Sequence, residues 1–264
     1  MSDQRLTFLK LGGSLITDKD QPETALIDQI NDLLSQIAEW HLANPTQRLL
    51  LGHGSGSFGH HAAAEHGTRQ GVHSLEDGLG YQQVWHSARS LNQIIISQAQ
   101  LLNLPLIAFP PSASITANHR VIQVWNLQPI GQCMEMGLIP LVYGDVVSDL
   151  ALGGTILSTE ELFFHLANAL RPSRILLVGR IEGVYSDFPL NQHLLPHISA
   201  FSDSSEFLQG SASQDVTGGM DTKVQSMQAL CRELPGLYVQ IFSAVSPGDL
   251  RLALNGAAIG TIIN

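Results

Sequence analysis

Short apolar runs alternate along this chain with segments whose apolar residues recur at helical spacing. Leu6–Leu11, broken only by Thr7 and Lys10, predicts a first strand. Between Glu23 and Ala43, residues Ile27, Ile30, Leu34 and Ile37 fall on one face and predict a helix that Asn44-Pro45 ends. Arg48–Leu51 predicts a short buried strand running into the glycine-rich stretch His53–His60. A long helix is expected from Asp77 to Leu102, strands at Leu106–Phe109 and Ile139–Tyr143, and a hairpin from Val146 to Ile156 around Gly153-Gly154. There follow a helix from Thr159 to Leu170, a strand at Arg174–Val178, a helix from Thr217 to Glu233, a strand at Leu237–Phe242, a short helix from Pro247 to Asn255 and a last strand at Ile259–Ile263. The alternation indicates an α/β fold with a mostly parallel central sheet. No repeat, low-complexity tract or linker interrupts it. One domain over 1–264 is expected, with an N-terminal lobe (about 1–170) and a C-terminal lobe (about 171–264) sharing one sheet.

Composition narrows the class. Apolar residues make up 44% and charged residues 14%, which suits a globular enzyme and excludes a disordered chain. A formal net charge of −10 argues against a nucleic-acid partner. No apolar run is long enough to span a bilayer, and Met1–Arg5 passes straight into the first strand without a secretory signal, so a cytoplasmic protein without a membrane partner is expected. Cys133 and Cys231 form no metal or redox motif and are expected to be reduced thiols. His53, His60, His61 and His66 match no zinc spacing, and no metal-ligating residues are assigned.

The distribution of positive charge changes the picture. The chain has three lysines, and each lies beside glycines: Lys10 and Lys19 bracket Gly12-Gly13-Ser14, and Lys223 follows Gly218-Gly219. Glycine lets a backbone approach an oxyanion closely, and lysine adds a mobile point charge. Ligands of α/β sheets bind beyond the carboxyl ends of the strands, where Gly12-Gly13-Ser14 lies. A second glycine loop, Gly54-Ser55-Gly56-Ser57-Phe58-Gly59, follows the next strand and ends at His60, which can donate to a phosphate. Two anion cradles at adjacent strand ends suggest two phosphate-bearing ligands facing one another, a nucleotide and a phosphorylated acceptor. A phosphate monoester is mostly dianionic at neutral pH and is already a nucleophile, so catalysis reduces to alignment and charge neutralisation. In Gly153-Gly154-Thr155-Ile156-Leu157-Ser158-Thr159-Glu160-Glu161, Gly154 is a candidate for the acceptor phosphate and Glu160 for holding lysines, while helix capping suffices for Glu161. In Asp215–Lys223, a glycine pair opening a helix suits the nucleotide phosphates.

These segments resemble the amino acid kinase superfamily and, within it, the isopentenyl phosphate kinases. The resemblance rests on Leu9–Lys19, His53–His60, Gly144-Asp145-Val146-Val147, Gly153–Ser158 and Asp215–Met220 with Lys223, in family order along the whole chain. The Ser57-Phe58-Gly59-His60 ending is the discriminating part, because carboxylate kinases lack that histidine. The resemblance implies an open αβα sandwich, a homodimer, and ATP-dependent phosphorylation of isopentenyl phosphate. It implies that Lys10, Lys19, His60 and Glu160 serve catalysis, with Gly54, Gly59, His60 and Gly154 on the acceptor phosphate. ATP would meet Lys10, Gly12, Gly13, Ser14, Ser55, Gly219 and Lys223, with Mg2+ carried mainly by phosphates and water. An alkyl tail needs an apolar pocket, for which Tyr81, Val84, Trp85, Val147 and Ile156 are the candidates.

Three positions depart from the family pattern. Ser55 replaces a glycine, which its site tolerates if its φ is negative. Glu160 stands where an aspartate is usual. Gly179-Arg180-Ile181-Glu182 replaces a usual Thr-Asp-Val-Asp beside the nucleotide, so Arg180 is a further candidate for a phosphate. The rival functions are a fosfomycin-type phosphonate kinase, a carboxylate kinase (disfavoured by His60 and by no evident arginine clamp) and an anion-binding or storage protein without turnover.

Overall fold

The computed structural model describes residues 5–203 and 219–264, and of these the side chains of His60 and His61 fall outside the description. Its strands are β1 (Leu6–Leu11), β2 (Arg48–His53), β3 (Leu106–Ala108), β4 (Ile115–Asn118), β5 (Val121–Trp125), β6 (Ile139–Tyr143), β7 (Asp145–Asp149), β8 (Gly153–Leu157), β9 (Arg174–Gly179), β10 (Val184–Tyr185), β11 (Leu194–Leu195), β12 (His197–Ile198), β13 (Tyr238–Ser243) and β14 (Thr261–Ile263). Its α-helices are α1 (Gly13–Ile16), α2 (Ile27–Ala43), α3 (Gly56–His66), α4 (Leu75–Leu101), α5 (Gln128–Glu135), α6 (Thr159–Leu170), α7 (Met220–Glu233) and α8 (Asp249–Leu254).

The main sheet has the order β12-β14-β13-β9-β1-β2-β6-β3. Its six strands from β13 to β3 are parallel, and β14 runs antiparallel to β13. Alternation along these strands divides the core. Phe8, Leu50, Ile175 and Leu177 pack on one face with Leu162, Phe163 and Leu166 of α6 and Val224, Met227 and Leu230 of α7. Leu9, Leu11, Leu49, Leu51, Leu176 and Val178 pack on the other with α2, α4 and α8. Side chains on a strand point to opposite faces in turn, so a run apolar at every position demands helices on both sides. The result is the expected open αβα sandwich.

The differences have physical causes. Helix α2 begins at Ile27, because Glu23 has φ 49° and Thr17 bridges to Ala25; the residues before it form an excursion that carries Lys19. The stretch Gly54–His60 is loop only at Gly54-Ser55, and α3 already starts at Gly56. In the β7–β8 hairpin the turn lies before Gly153, so Gly153-Gly154 open the second strand instead of forming the turn. The sequence pattern missed β4, β5 and α5. In β5, Val121, Gln123 and Val124 are exposed and only Trp125 is buried, so that strand shows no regular alternation to read. Together with β7 and β8 these strands form a separate sheet, ordered β5-β4-β7-β8. Residues 215–218 of the predicted last nucleotide segment lie outside the described residues.

Candidate active site

Lys10 shares its strand parity with Phe8, so its side chain leaves β1 on the face covered by α6 and α7. There its Nζ donates to Glu160 Oε1 at 2.6 Å. Lys223 Nζ, one turn into α7, lies 3.7 Å from the same oxygen. Burial alone would raise the Glu160 carboxyl, but the charges of Lys10 and Lys223 and the Lys10 hydrogen bond outweigh it and hold the pKa at about 2. Glu160 therefore stays ionised between two ammonium groups. The side chain one methylene longer than the usual aspartate meets both.

The two glycine loops touch each other. A Cβ on Gly13 would fall 2.3 Å from the Gly56 amide nitrogen, and one on Gly54 would fall 2.8 Å from that of Gly13. Thr17 cross-links them: its hydroxyl donates to the Gly13 carbonyl at 2.8 Å and accepts from the Ser57 amide at 3.0 Å. Gly56 holds φ +50° directly under that hydroxyl, which excludes a side chain. Ser55 has φ −80°, the condition its replacement of glycine requires. His60 lies on the backbone of α3 as its fifth residue, with its side chain outside the description.

Both loops open on one cleft of about 820 Å³ at the carboxyl ends of β1, β2 and β9. Lys10, Lys19 and Lys223 all line it, with Gly12, Gly13, Ser14, Gly54, Ser55 and Glu160. So do Arg69, Arg120 and Arg180, giving, among the described residues, six cations against the carboxylates of Glu160 and Glu161. Sequence reasoning missed Arg69 and Arg120, which stand in this wall. Neither has a local motif: Arg120 sits at the tip of β4–β5, which the pattern did not reveal, and Arg69 is tied to Thr155 of β8. Glu161 does more than cap. It completes a capping box with Ser158 and also pairs with both arginines.

Other candidates lie off the cleft wall among the described residues. Gly59 packs beneath Ser55, and Gly154 packs against the Tyr81 ring, which a Cβ there would meet at 2.7 Å. Gly219 stands at the N-cap of α7, next to Met220 in the wall. Tyr81, Val84, Trp85 and Ile156 form one apolar cluster with Ala62, Ala63 and Val146, and Ile156 also reaches the cleft. Val147 is a correction: strand alternation turns it into the main core, and Val146 takes its place. Behind this cluster Asp145 is buried, accepting from the Ser112 amide at 3.2 Å and the Val146 amide at 2.9 Å. Burial outweighs those bonds and raises its pKa to about 6. Burial likewise lowers His53 to about 4; its ring stacks on Tyr143 with centroids 5.2 Å apart.

The sequence matches the model of the amino acid kinase family over residues 5–243. The chain belongs to that family. It is 33% identical to the isopentenyl phosphate kinase of Methanothermobacter thermautotrophicus, over 96% of this chain and 97% of that one. It is 32% identical to the isopentenyl phosphate kinase of Haloferax volcanii, over 98% of each chain. A solved structure of isopentenyl phosphate kinase superposes with a TM-score of 0.84 at 29% identity, covering 98% of this chain and all of that one. The matched stretch spans both glycine loops, the three lysines and Glu160.

Proposed function

We propose that the protein phosphorylates isopentenyl phosphate to isopentenyl diphosphate with ATP. The observation that carries this reading is the cleft itself: three lysines and two interlocked glycine loops open on one space, in a chain that aligns end to end with isopentenyl phosphate kinases. ATP is taken as its magnesium complex. No group of three or more His, Cys, Asp or Glu side chains gathers to hold a metal among the described residues, so phosphate oxygens and water are the proposed ligands. The nucleotide would lie on the side of Lys223 and the N-terminus of α7, and the acceptor on the side of Gly54 and His60.

An oxygen of the acceptor phosphate attacks the γ-phosphorus of ATP, the bond to the β-phosphate oxygen breaks, and ADP leaves. No base is needed. Lys10 and Lys19 would neutralise the transferring phosphoryl group while Glu160 keeps Lys10 and Lys223 from repelling each other. The tail would enter beside Ile156 toward Tyr81, Val84 and Trp85, a cluster that supports an apolar acceptor over fosfomycin. A homodimer is the proposed assembly, supported by exposed Leu101, Ile107 and Met136 beside the edge strand β3. A cytoplasmic setting suits the free, buried Cys133 and Cys231.

The test is a coupled ADP assay with magnesium and a panel of isopentenyl phosphate, dimethylallyl phosphate, fosfomycin and glutamate. Turnover with the prenyl monophosphates is expected. A panel in which no prenyl monophosphate reacts ends this reading.

A further inference from the structure

One charged cluster of the cleft has no part in the reaction as derived above. The tip of the β4–β5 hairpin carries His119 at φ 47° and Arg120 at φ 65°, two successive non-glycine residues in the left-handed region. One buried carboxylate holds that tip: Asp149 accepts from the amides of His119 at 3.0 Å and Arg120 at 2.7 Å, and also from Ala151 and Leu152 at 3.0 Å each. The same β7–β8 hairpin fixes Arg69, whose carbonyl accepts from the Thr155 hydroxyl at 2.9 Å. Both guanidinium groups then converge on Glu161 Oε1, with Arg69 Nη2 at 3.4 Å and Arg120 Nη2 in direct contact. The other oxygen, Oε2, is engaged by the Ser158 amide at 2.7 Å. Arg120 Nε is buried and donates to nothing among the described residues.

The two guanidinium groups stand in the wall of the cleft that the proposed function assigns to phosphates. They present planar, forked donors of the kind that match phosphate oxygens. Both come from the half of the chain that carries Gly54 and His60, whereas Lys223 and Arg180 come from the other half. We propose that Arg120, together with Arg69, binds the phosphate of the acceptor, and that Glu161 occupies the two guanidinium groups until that phosphate displaces it. The inference rests on the phosphate-accepting function proposed above and extends it to two residues that its glycine and histidine motifs do not include.

The signs of two substitutions separate this from a purely structural ion pair. Arg120→Ala removes donors from the acceptor, so the acceptor KM should rise by about tenfold or more while the ATP KM moves by less than about twofold. Added guanidinium ion should restore part of the loss. Glu161→Gln keeps a side chain able to complete the capping box but frees the arginines, so the acceptor KM should fall. An ion pair that only braces the fold predicts the same loss from both substitutions, and that result overturns the inference, as does a rise confined to the ATP KM. If Arg120→Ala does not fold, Arg120→Lys carries the test: an intermediate acceptor KM supports the clamp, and a wild-type value removes it. Wild-type turnover with isopentenyl phosphate is measured first. Its absence ends the underlying function, whereas turnover with an unchanged acceptor KM in the Arg120 variants ends only the present inference.

Discussion

Glu160 sits where two ammonium groups would otherwise repel each other, and its proton follows from that position. Its pKa is held at about 2 against an ordinary 4.5, so the stabilisation it adds is complete above about pH 4.5 and is lost as pH falls toward 2. Glu160→Gln should lower kcat by roughly 10–100-fold through misplaced lysines, with smaller changes in KM. Its stability deficit relative to wild type should shrink between pH 7 and pH 3 in urea titrations; a deficit that stays constant would show that the charge is not what Glu160 contributes. Asp145 and His53 make a second, opposed pair around Tyr143. Asp145 is raised from 3.8 to about 6, so its contribution is full below about pH 4 and disappears as pH rises through 6. His53 is lowered from 6.5 to about 4, so its contribution is full above about pH 6.5 and is lost as pH falls through 4. Over the same window the two offset one another. Asp145→Asn should therefore gain stability relative to wild type by about 2–3 kcal/mol between pH 4 and pH 6, and should unmask a rise that His53 sets. Parallel stability curves for the two proteins would refute it. Of these residues the sequence exposed Glu160 through its place beside Ser158 and the glycines, but the burial of Asp145 depends on a register that only the fold supplies.

The glycine loops were legible as loops but not as a pair. Gly12-Gly13 and Gly54-Ser55-Gly56 lie more than forty residues apart, and their contact comes from β1 pairing with β2 in parallel register, Leu11 against His53. Each loop removes side chains where the other must pass, so what reads as two anion cradles is also one packing unit tied by Thr17. Gly13→Ala tests this dual role. Its Cβ would fall 2.3 Å from a backbone nitrogen, which no rotamer change relieves. A stability loss of about 2–4 kcal/mol and a fall in turnover of at least about tenfold should come together. A stable protein that merely binds ATP less well would mean the loops yield independently. The β4–β5 hairpin shows the opposite case. Its second strand has exposed valines, its tip is held by a carboxylate about thirty residues away, and nothing local announces either feature. Arg120 stayed unread for that reason, although its partner Glu161 lies inside a recognised motif.

At the level of the sheet, alternation of apolar strands and helices made the sandwich legible, because strands buried on both faces admit few other arrangements. Strand order was not legible: β9, in the second half of the chain, pairs with β1 and inserts the N-terminal strand into the middle of the sheet. That insertion bears on whether the proposed lobes are separate folding units. Each core layer mixes both halves: Phe8 and Phe163 pack with Val224 and Met227 on one face, and Leu9 and Leu34 pack with Phe242 and Leu250 on the other. Neither half can open without exposing both layers. The expected outcome is a single cooperative unfolding transition, with the cleft lost in the same step. The chain supplies its own probe, because Trp40, Trp85 and Trp125 all lie in the first half. Tryptophan fluorescence therefore reports that half alone, while far-ultraviolet circular dichroism reports the helices of both. In urea the two curves should coincide in midpoint and slope. A fluorescence midpoint displaced from the dichroism midpoint would mean that the lobes unfold separately, and that the β1–β9 seam is a contact between units instead of the centre of one.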